Sequence, residues 1–338
     1  MQAIRLFLLP VYVLVMNVVN WLKEHDNGDT RSAVTKLACA GDGKSFIYLS
    51  LPFAGVYCWA NDVYCKEIPT DYNDSFRGMS LNFCTDGGCE VSLFNGNYVY
   101  VRKGILSIDT SATKTAHHYP SSRYKGLEII FTLDGFGPDY TPCPRELLAI
   151  GFNPHAFLKE LEEKSTHGSF LAIPGELWQR KASRLADHLI SQDISIEEIR
   201  FYLMELLFLL AKESCQLKPA GIGSVSKGQR KIAAEAERIA TQDLSQRITV
   251  EELAKQFKIS PSSLKKYFSQ VYGMSFSTYL HKLRMETAAA LASEGTHTIG
   301  EIAERTGYQS QSKFGTAFRE YFGKTPLEFK RLQTVSSS

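Results

Sequence analysis

Two short runs of polar and basic side chains carry the chemistry that this sequence offers. Ser262, Ser263, Lys265 and Lys266 lie around the apolar pair Leu264 and Phe268, and Gln311, Ser312, Lys313 and Thr316 lie around Phe314 and Phe318. Each apolar pair is spaced i, i+4, so on a helix both members point inward and leave the polar residues outside. Lysine can donate to a phosphate or a guanine edge, and the glutamine amide suits adenine. Serine and threonine hydroxyls suit either base or backbone. For any one of these residues the plain alternative is a solvated helix face.

The elements that would position both runs recur along the chain. Thr249, Glu252, Leu253 and Ala254 return 49 positions later as Thr298, Glu301, Ile302 and Ala303. One residue is then gained, so Leu264, Phe268, Tyr272, Gly273 and Ser275 return 50 positions later as Phe314, Phe318, Phe322, Gly323 and Thr325. Each copy reads as a short helix with a small alanine at a close crossing, a tight turn and a second helix, the layout of a major-groove reader. Ser260-Pro261 predicts the start of the first recognition helix, which should run to about Gln270; the second should run from about Ser310 to Tyr321. Between the copies, Phe276 to Ser293 lacks Pro and Gly, has Ser275 as a cap and stops at Gly295, which predicts one continuous helix. Eighteen residues span about 27 Å, close to the ~34 Å between successive major-groove faces.

This part of the chain resembles the AraC/XylS family of bacterial transcription regulators. The signature of that family's second unit is present in Gly307-Tyr308, in Phe314 to Phe318, and in Gly323-Lys324-Thr325-Pro326-Leu327-Glu328-Phe329-Lys330. The resemblance covers about the last hundred residues and implies contacts to base or phosphate at Ser262, Lys265 and Lys266. It also implies double-stranded operator DNA as partner, a small-molecule effector, and RNA polymerase and a second copy of the chain as further partners. Two departures stand out: Lys266 and Thr316 occupy places where relatives often carry arginine, and Gly315 costs about 1 kcal/mol mid-helix relative to alanine. The first unit is therefore expected to dominate affinity.

Charge agrees with this division. Residues 229–338 hold sixteen Lys and Arg against eleven Asp and Glu, net +5, leaving net −3 on the rest of a chain whose total is +2. The basic part is the part expected to meet phosphate. At 338 residues, with 44% hydrophobic and 22% charged, the composition is that of a globular protein long enough for two cores.

The expected fold class is α+β and multidomain: an N-terminal β-barrel or sandwich, cupin-like, with a helical subdomain, and a C-terminal all-α domain with two helix-turn-helix motifs. The expected boundaries are an apolar lead-in over 1–44, a β-rich effector domain over 45–150, helices over 151–214, a linker over 215–228 and the DNA-binding domain over 229–334. Strands are predicted at Phe46 to Leu49, Val56 to Trp59, Met79 to Phe83, Glu90 to Phe94, Tyr98 to Val101 and Leu127 to Phe131, with a hairpin at Asn95-Gly96. Gly78 to Asp109 also resembles the cupin-type sensor domain of some relatives, siderophore-responsive ones especially. Tyr57, Trp59, Phe83, Tyr98 and Tyr100 are candidate effector contacts, with ordinary core packing as the alternative. Helices are predicted over Asn153 to Lys164, Gly175 to Ser191 and Ser195 to Ser214. The last is apolar over most of its circumference, which suits either full burial or pairing with a second copy.

Other signals point away from catalysis. Seven cysteines, an odd number without a periodic framework, fit a reducing cytoplasm. Cys58 with Cys65 and Cys84 with Cys89 lack zinc-knuckle spacing, and with His117-His118 leave a metal site as a minor alternative; neither metal nor cofactor is expected. Gly41-Asp42-Gly43-Lys44-Ser45 fails as a phosphate loop because Ala38 replaces the required glycine. Pro142-Cys143-Pro144-Arg145 is similar to the nucleophile motif of Ada-like DNA-repair methyltransferases but lacks the activating histidine, so a methyltransferase using Cys143 is the runner-up. Leu6 to Leu22 is apolar but short for a membrane helix. A membrane anchor, a helix packed on the sensor domain and a true start at Met16 are the three readings of it.

Overall fold

The computed structural model describes residues 33–39, 43–69, 76–93, 95–112, 116–132, 143–162, 169–213, 217 and 220–336. Leu6 to Leu22 with Met16, the Gly41-Asp42 pair, Pro142, Lys164 and Ser214 lie outside the described residues. The chain divides into two compact units between Ser224 and Val225.

The first unit is built on an antiparallel sheet. Its strands are β1 (Thr35–Ala38), β2 (Phe46–Phe53), β3 (Val56–Val63), β4 (Glu67–Pro69), β5 (Phe76–Ser92), β6 (Tyr98–Arg102), β7 (Leu106–Ala112), β8 (Ala116–His118), β9 (Tyr124–Thr132) and β10 (Ser169–Ala172). The hydrogen-bonded path runs β1-β2-β3-β9-β5-β7-β10, β6 joins β5, and β4 pairs β8 apart from the rest. Alternation assigns the faces. Val56, Cys58 and Ala60 of β3 join the main core, whereas Tyr57 and Trp59 pack with Ile47, Leu49 and Ile130 on the other side.

The predicted strands at Met79 to Phe83 and Glu90 to Phe94 are one continuous strand, β5, of 17 residues. It pairs with β9 and β7 in its first part and with β6 from Gly88 onward, with a register shift between Cys84 and Asp86. Thr85-Asp86-Gly87-Gly88 reads as a turn in one dimension, but a bulge bends a strand without ending it. Gly87 (φ +72°) is required there, because a Cβ would lie 1.9 Å from the Arg123 carbonyl oxygen. The Asn95-Gly96 hairpin forms as expected: Gly96 takes φ +77° and its N–H donates to the Leu93 carbonyl at 3.0 Å.

Four helices follow: α1 (Arg145–Ala149), α2 (Pro154–Glu162), α3 (Glu176–Ser191) and α4 (Ile196–Glu213). Leu185 and Leu189 of α3 and Leu203, Leu206 and Leu210 of α4 close the main core against the sheet. Trp178 stands edge-on to Phe83 at 5.1 Å and its indole N–H donates to the Leu206 carbonyl at 3.0 Å, so it ties sheet, α3 and α4 together. The stretch read as a linker is held in places: Leu217 is buried in this core and the Ala220 N–H donates to the Leu171 carbonyl at 2.8 Å.

The second unit is helical: α5 (Lys227–Gln242), α6 (Val250–Gln256), α7 (Pro261–Tyr272), α8 (Phe276–Glu294), α9 (Ile299–Arg305), α10 (Gln311–Phe322) and α11 (Pro326–Ser336). The first two residues of α5 fall inside the stretch read as linker, because Ser226 caps the helix in a reciprocal bond with Gln229. Among the described residues no helix is long and apolar enough to cross a membrane.

Candidate nucleic-acid interface

Local capping starts every helix of the two units. In the first, the Glu252 N–H donates to Thr249 Oγ1 at 3.2 Å while the Thr249 N–H donates to Glu252 Oε2 at 2.8 Å. The second repeats this with Thr298 and Glu301 at 3.2 and 2.7 Å. The threonine N–H bonded to it holds each glutamate carboxyl below its ordinary range. Ser260 caps α7, with Pro261 at its first position, and Ser310 caps α10. Gly273 and Gly323 end these helices at φ +78° and +72°, where a side chain would be strained.

Packing then fixes which face looks outward. Leu264 and Phe268 of α7 and Phe314 and Phe318 of α10 are fully buried, as are Ala254 and Ala303 where the paired helices cross. Helix α8 serves both cores. Its N-terminal Phe276 and Tyr279 stack edge-on to Phe268 at 5.1 and 5.5 Å, and its Met285, Ala288 and Ala292 join Ile302, Ala303, Phe314 and Phe318. Its 19 residues correspond to about 28 Å.

Ser262, Lys265 and Lys266 are exposed on α7 and Ser263 is half-buried; Gln311, Ser312, Lys313 and Thr316 are exposed on α10. Four residues therefore share the N-terminal face of each second helix. Several are preorganised: Ser262 and Ser263 share hydroxyl contacts with Ser260 at 2.9 and 2.8 Å, and Thr316 Oγ1 donates to the Ser312 carbonyl at 3.1 Å. Lys265 pairs with Glu251 across the motif at 3.6 Å, a neighbour that the sequence reading missed.

Sequence reading also missed the residues that hold the two units to their frame. Tyr279 donates to Glu237, which is buried on the alanine face of α5, at 3.0 Å; burial and this carboxylate push the tyrosine pKa up. Arg284 Nη2 donates to the Gln246 carbonyl at 2.9 Å, and Lys330 Nζ to the His297 carbonyl at 2.7 Å. The signal was available for Glu237 alone, a carboxylate amid Ala233, Ala236 and Ala240.

The five aromatic residues read as effector contacts are not brought together. Tyr57 and Trp59 share a cluster, with the Trp59 indole N–H donating to Glu128 Oε2 at 3.0 Å and Ser80 Oγ to Glu128 Oε1 at 2.7 Å. Phe83 points to the opposite side, into the core against Trp178. Tyr100 donates to Glu90 at 2.7 Å from β6, and Tyr98 is partly exposed on the same strand. Among the described residues no group of three or more His, Cys, Asp and Glu is placed to hold a metal ion.

Two capped helix pairs on one shared helix, each presenting a polar N-terminal face, define a double helix-turn-helix DNA-binding domain. A family model described as a helix-turn-helix domain matches residues 253–332. The HTH-type transcriptional regulator YisR of Bacillus subtilis is 21% identical over 277 residues, covering 80% of this chain and 89% of that protein. The lactose operon transcription activator of Staphylococcus xylosus is 24% identical over 261 residues, covering 74% and 92%. The transcriptional activator RhaR of Mannheimia succiniciproducens is 32% identical over 89 residues, and the chain spans only 32% of its length. The chain is a DNA-binding transcription regulator with a helix-turn-helix domain over residues 253–332, similar over most of its length to other transcription regulators.

Proposed function

We propose that Ser262, Ser263, Lys265 and Lys266 on α7 and Gln311, Ser312, Lys313 and Thr316 on α10 make the contacts to operator DNA. The observation that carries this is the exposure of seven of them, with Ser263 half-buried beside Ser262, on the N-terminal faces of two helices whose opposite faces are buried. Lys266 and Gln311 are read as base-directed and Lys265 and Lys313 as phosphate-directed. Because Lys265 already pairs with Glu251, its approach to phosphate exchanges one partner for another.

The first unit is read as the effector-binding part, with the site on the Tyr57 and Trp59 side of the sheet. There the carboxylate of Glu128 accepts from indole and serine donors, which favours a small molecule that itself offers hydrogen-bond donors. RNA polymerase and a second copy of the chain are the further partners, and the cytoplasm is the compartment. The protein is read as a regulator without catalytic activity: Cys143, the one candidate nucleophile, is half-buried, and burial raises its pKa, which keeps it a thiol.

Selecting bound fragments from genomic DNA with the full chain tests the reading, repeated with Lys266→Ala and Gln311→Ala. Enrichment of a shared motif by the wild type, with altered base preference in the variants, is expected. Equal recovery of all fragments by wild type and variants would overturn it.

A further inference from the structure

In the first helix-turn-helix unit, an ion pair ties the first helix to the recognition helix. The Glu251 carboxylate of α6 stands 3.6 Å from the Lys265 ammonium of α7, and both side chains are mostly exposed. The repeat shows the same junction without it. Gly300 lies 49 positions after Glu251, and Gly315 lies 50 after Lys265. Both charges are missing together from the second unit, although the buried anchors beside them, Ala254 and Leu264, return as the buried Ala303 and Phe314.

The vacated space is put to use. A Cβ at Gly300 would lie 3.8 Å from Gln311 Oε1, so the amide of the base-directed glutamine reaches over bare backbone where α6 carries a carboxylate. A Cβ at Gly315 would meet nothing within 4 Å. The second unit thus presents a neutral amide at this junction, and the first presents a lysine already held by an anion. So exposed a pair adds little to the fold. Its consequence falls on binding, because an ammonium that must leave a carboxylate before it meets a phosphate gains less by the exchange.

We propose that Glu251 restrains DNA binding by occupying Lys265 in place of a phosphate. The restraint lowers the affinity of the first unit for DNA of any sequence and leaves the choice between bases to other residues. It also makes binding less sensitive to salt, since a carboxylate released from its lysine takes up a cation as the phosphate gives one off. With Gly300 and Gly315, the second unit carries no such restraint.

This rests on the reading of Lys265 as a phosphate contact, and the experiment separates the two. The full chain is titrated, over a range of salt concentrations, with a random-sequence duplex and with a fragment selected by the wild type. Glu251→Gln should raise affinity for both by the same factor, about two- to fivefold at low salt, and steepen the salt slope by up to about one unit. Lys265→Ala should weaken binding to both, and in that chain Glu251→Gln should lose most of its gain. The second unit supplies the converse on the random duplex. Gly315→Lys should raise affinity, and adding Gly300→Glu should take most of that gain back, whereas adding Gly300→Gln should not, which separates charge from crowding of Gln311. A Lys265→Ala chain that binds as the wild type does overturns the phosphate contact and the restraint with it. If Lys265→Ala weakens binding while Glu251→Gln leaves it unchanged or lowers it, the restraint alone falls. A Glu251→Gln gain undiminished without Lys265 overturns the pair as its route.

Discussion

The two helix-turn-helix units are built on one plan and solve its tightest point differently. At the equivalent place in the turn, the first unit has Lys258 at φ +55° and the second has Gly307 at φ +81°. The lysine accepts a left-handed backbone at a local cost of about 1 to 2 kcal/mol. The glycine is required twice over, since a Cβ at Gly307 would also lie 2.5 Å from the Leu244 carbonyl oxygen and 3.2 Å from Arg284. The same turn is thus a conformational matter in one copy and a packing matter in the other. The presented faces differ as well. The first unit offers two lysines, one already held by Glu251, whereas the second offers Gln311 and Lys313 on a helix weakened by Gly315. A repeat can keep its scaffold while its reading face diverges, because buried anchors and exposed contacts are different residues of the same helix.

The largest effect should come from the turn. Gly307→Ala is expected to cost at least about 2 kcal/mol, whereas Lys258→Gly should stabilise by up to about 1 kcal/mol. Chemical denaturation of the full chain measures both, and the same sign for the two would erase the contrast. The crossings come next: Ala254→Leu and Ala303→Leu should each overpack a fully buried contact at about 1 to 3 kcal/mol. Thermal melting reports this, and an unchanged midpoint in both would mean that neither crossing is close.

Affinity should distinguish the reading faces. Lys266→Ala is expected to cost about 1 to 3 kcal/mol on the selected operator, and Thr316→Ala less. Titrations at several salt concentrations sharpen the comparison. A base contact gives a sequence-dependent loss, and a phosphate contact a uniform one with a salt slope shallower by about one unit. If the two variants lose equally, the first unit does not dominate.

The smallest difference belongs to the caps. Thr249→Ala and Thr298→Ala should each cost about 1 kcal/mol. Glu252 and Glu301 titrate below their ordinary range in the folded chain. The stability they add is therefore complete above the unfolded glutamate pKa of about 4.3 and is lost as pH falls through the lower folded value. Melts of Glu252→Gln, Glu301→Gln and the wild type between neutral and acid pH should converge at the acid end, and parallel curves would exclude the boxes.

Much of the second unit was legible because its signals close within a few residues. Ser260-Pro261 predicted α7 and Gly273 ends it; Ser275 and Gly295 predicted α8 to within one residue. The first unit was harder. The short strands β1, β4, β7, β8 and β10 were not anticipated, since a run of three to seven residues becomes a strand by the partner it finds, as Leu106 does opposite Phe83. Phe83, Tyr57 and Trp59 look alike in composition, yet they divide between two faces, because the side on which a strand residue falls depends on the register of strands distant in the chain.

By itself the sequence determined the two repeated capping boxes, the left-handed glycines that end the recognition helices and the spacing that turns Leu264, Phe268, Phe314 and Phe318 inward. These depend on hydrogen bonds and periods spanning at most four residues, so the types present decide them. Tertiary structure alone decided that α8 belongs to both cores, that Tyr279 finds Glu237 42 positions away, that β5 bends instead of ending, and that Phe201 and Phe208 stay outside while their neighbours are buried. Burial is set by what the rest of the chain brings to a face, and no local run of residues contains that information.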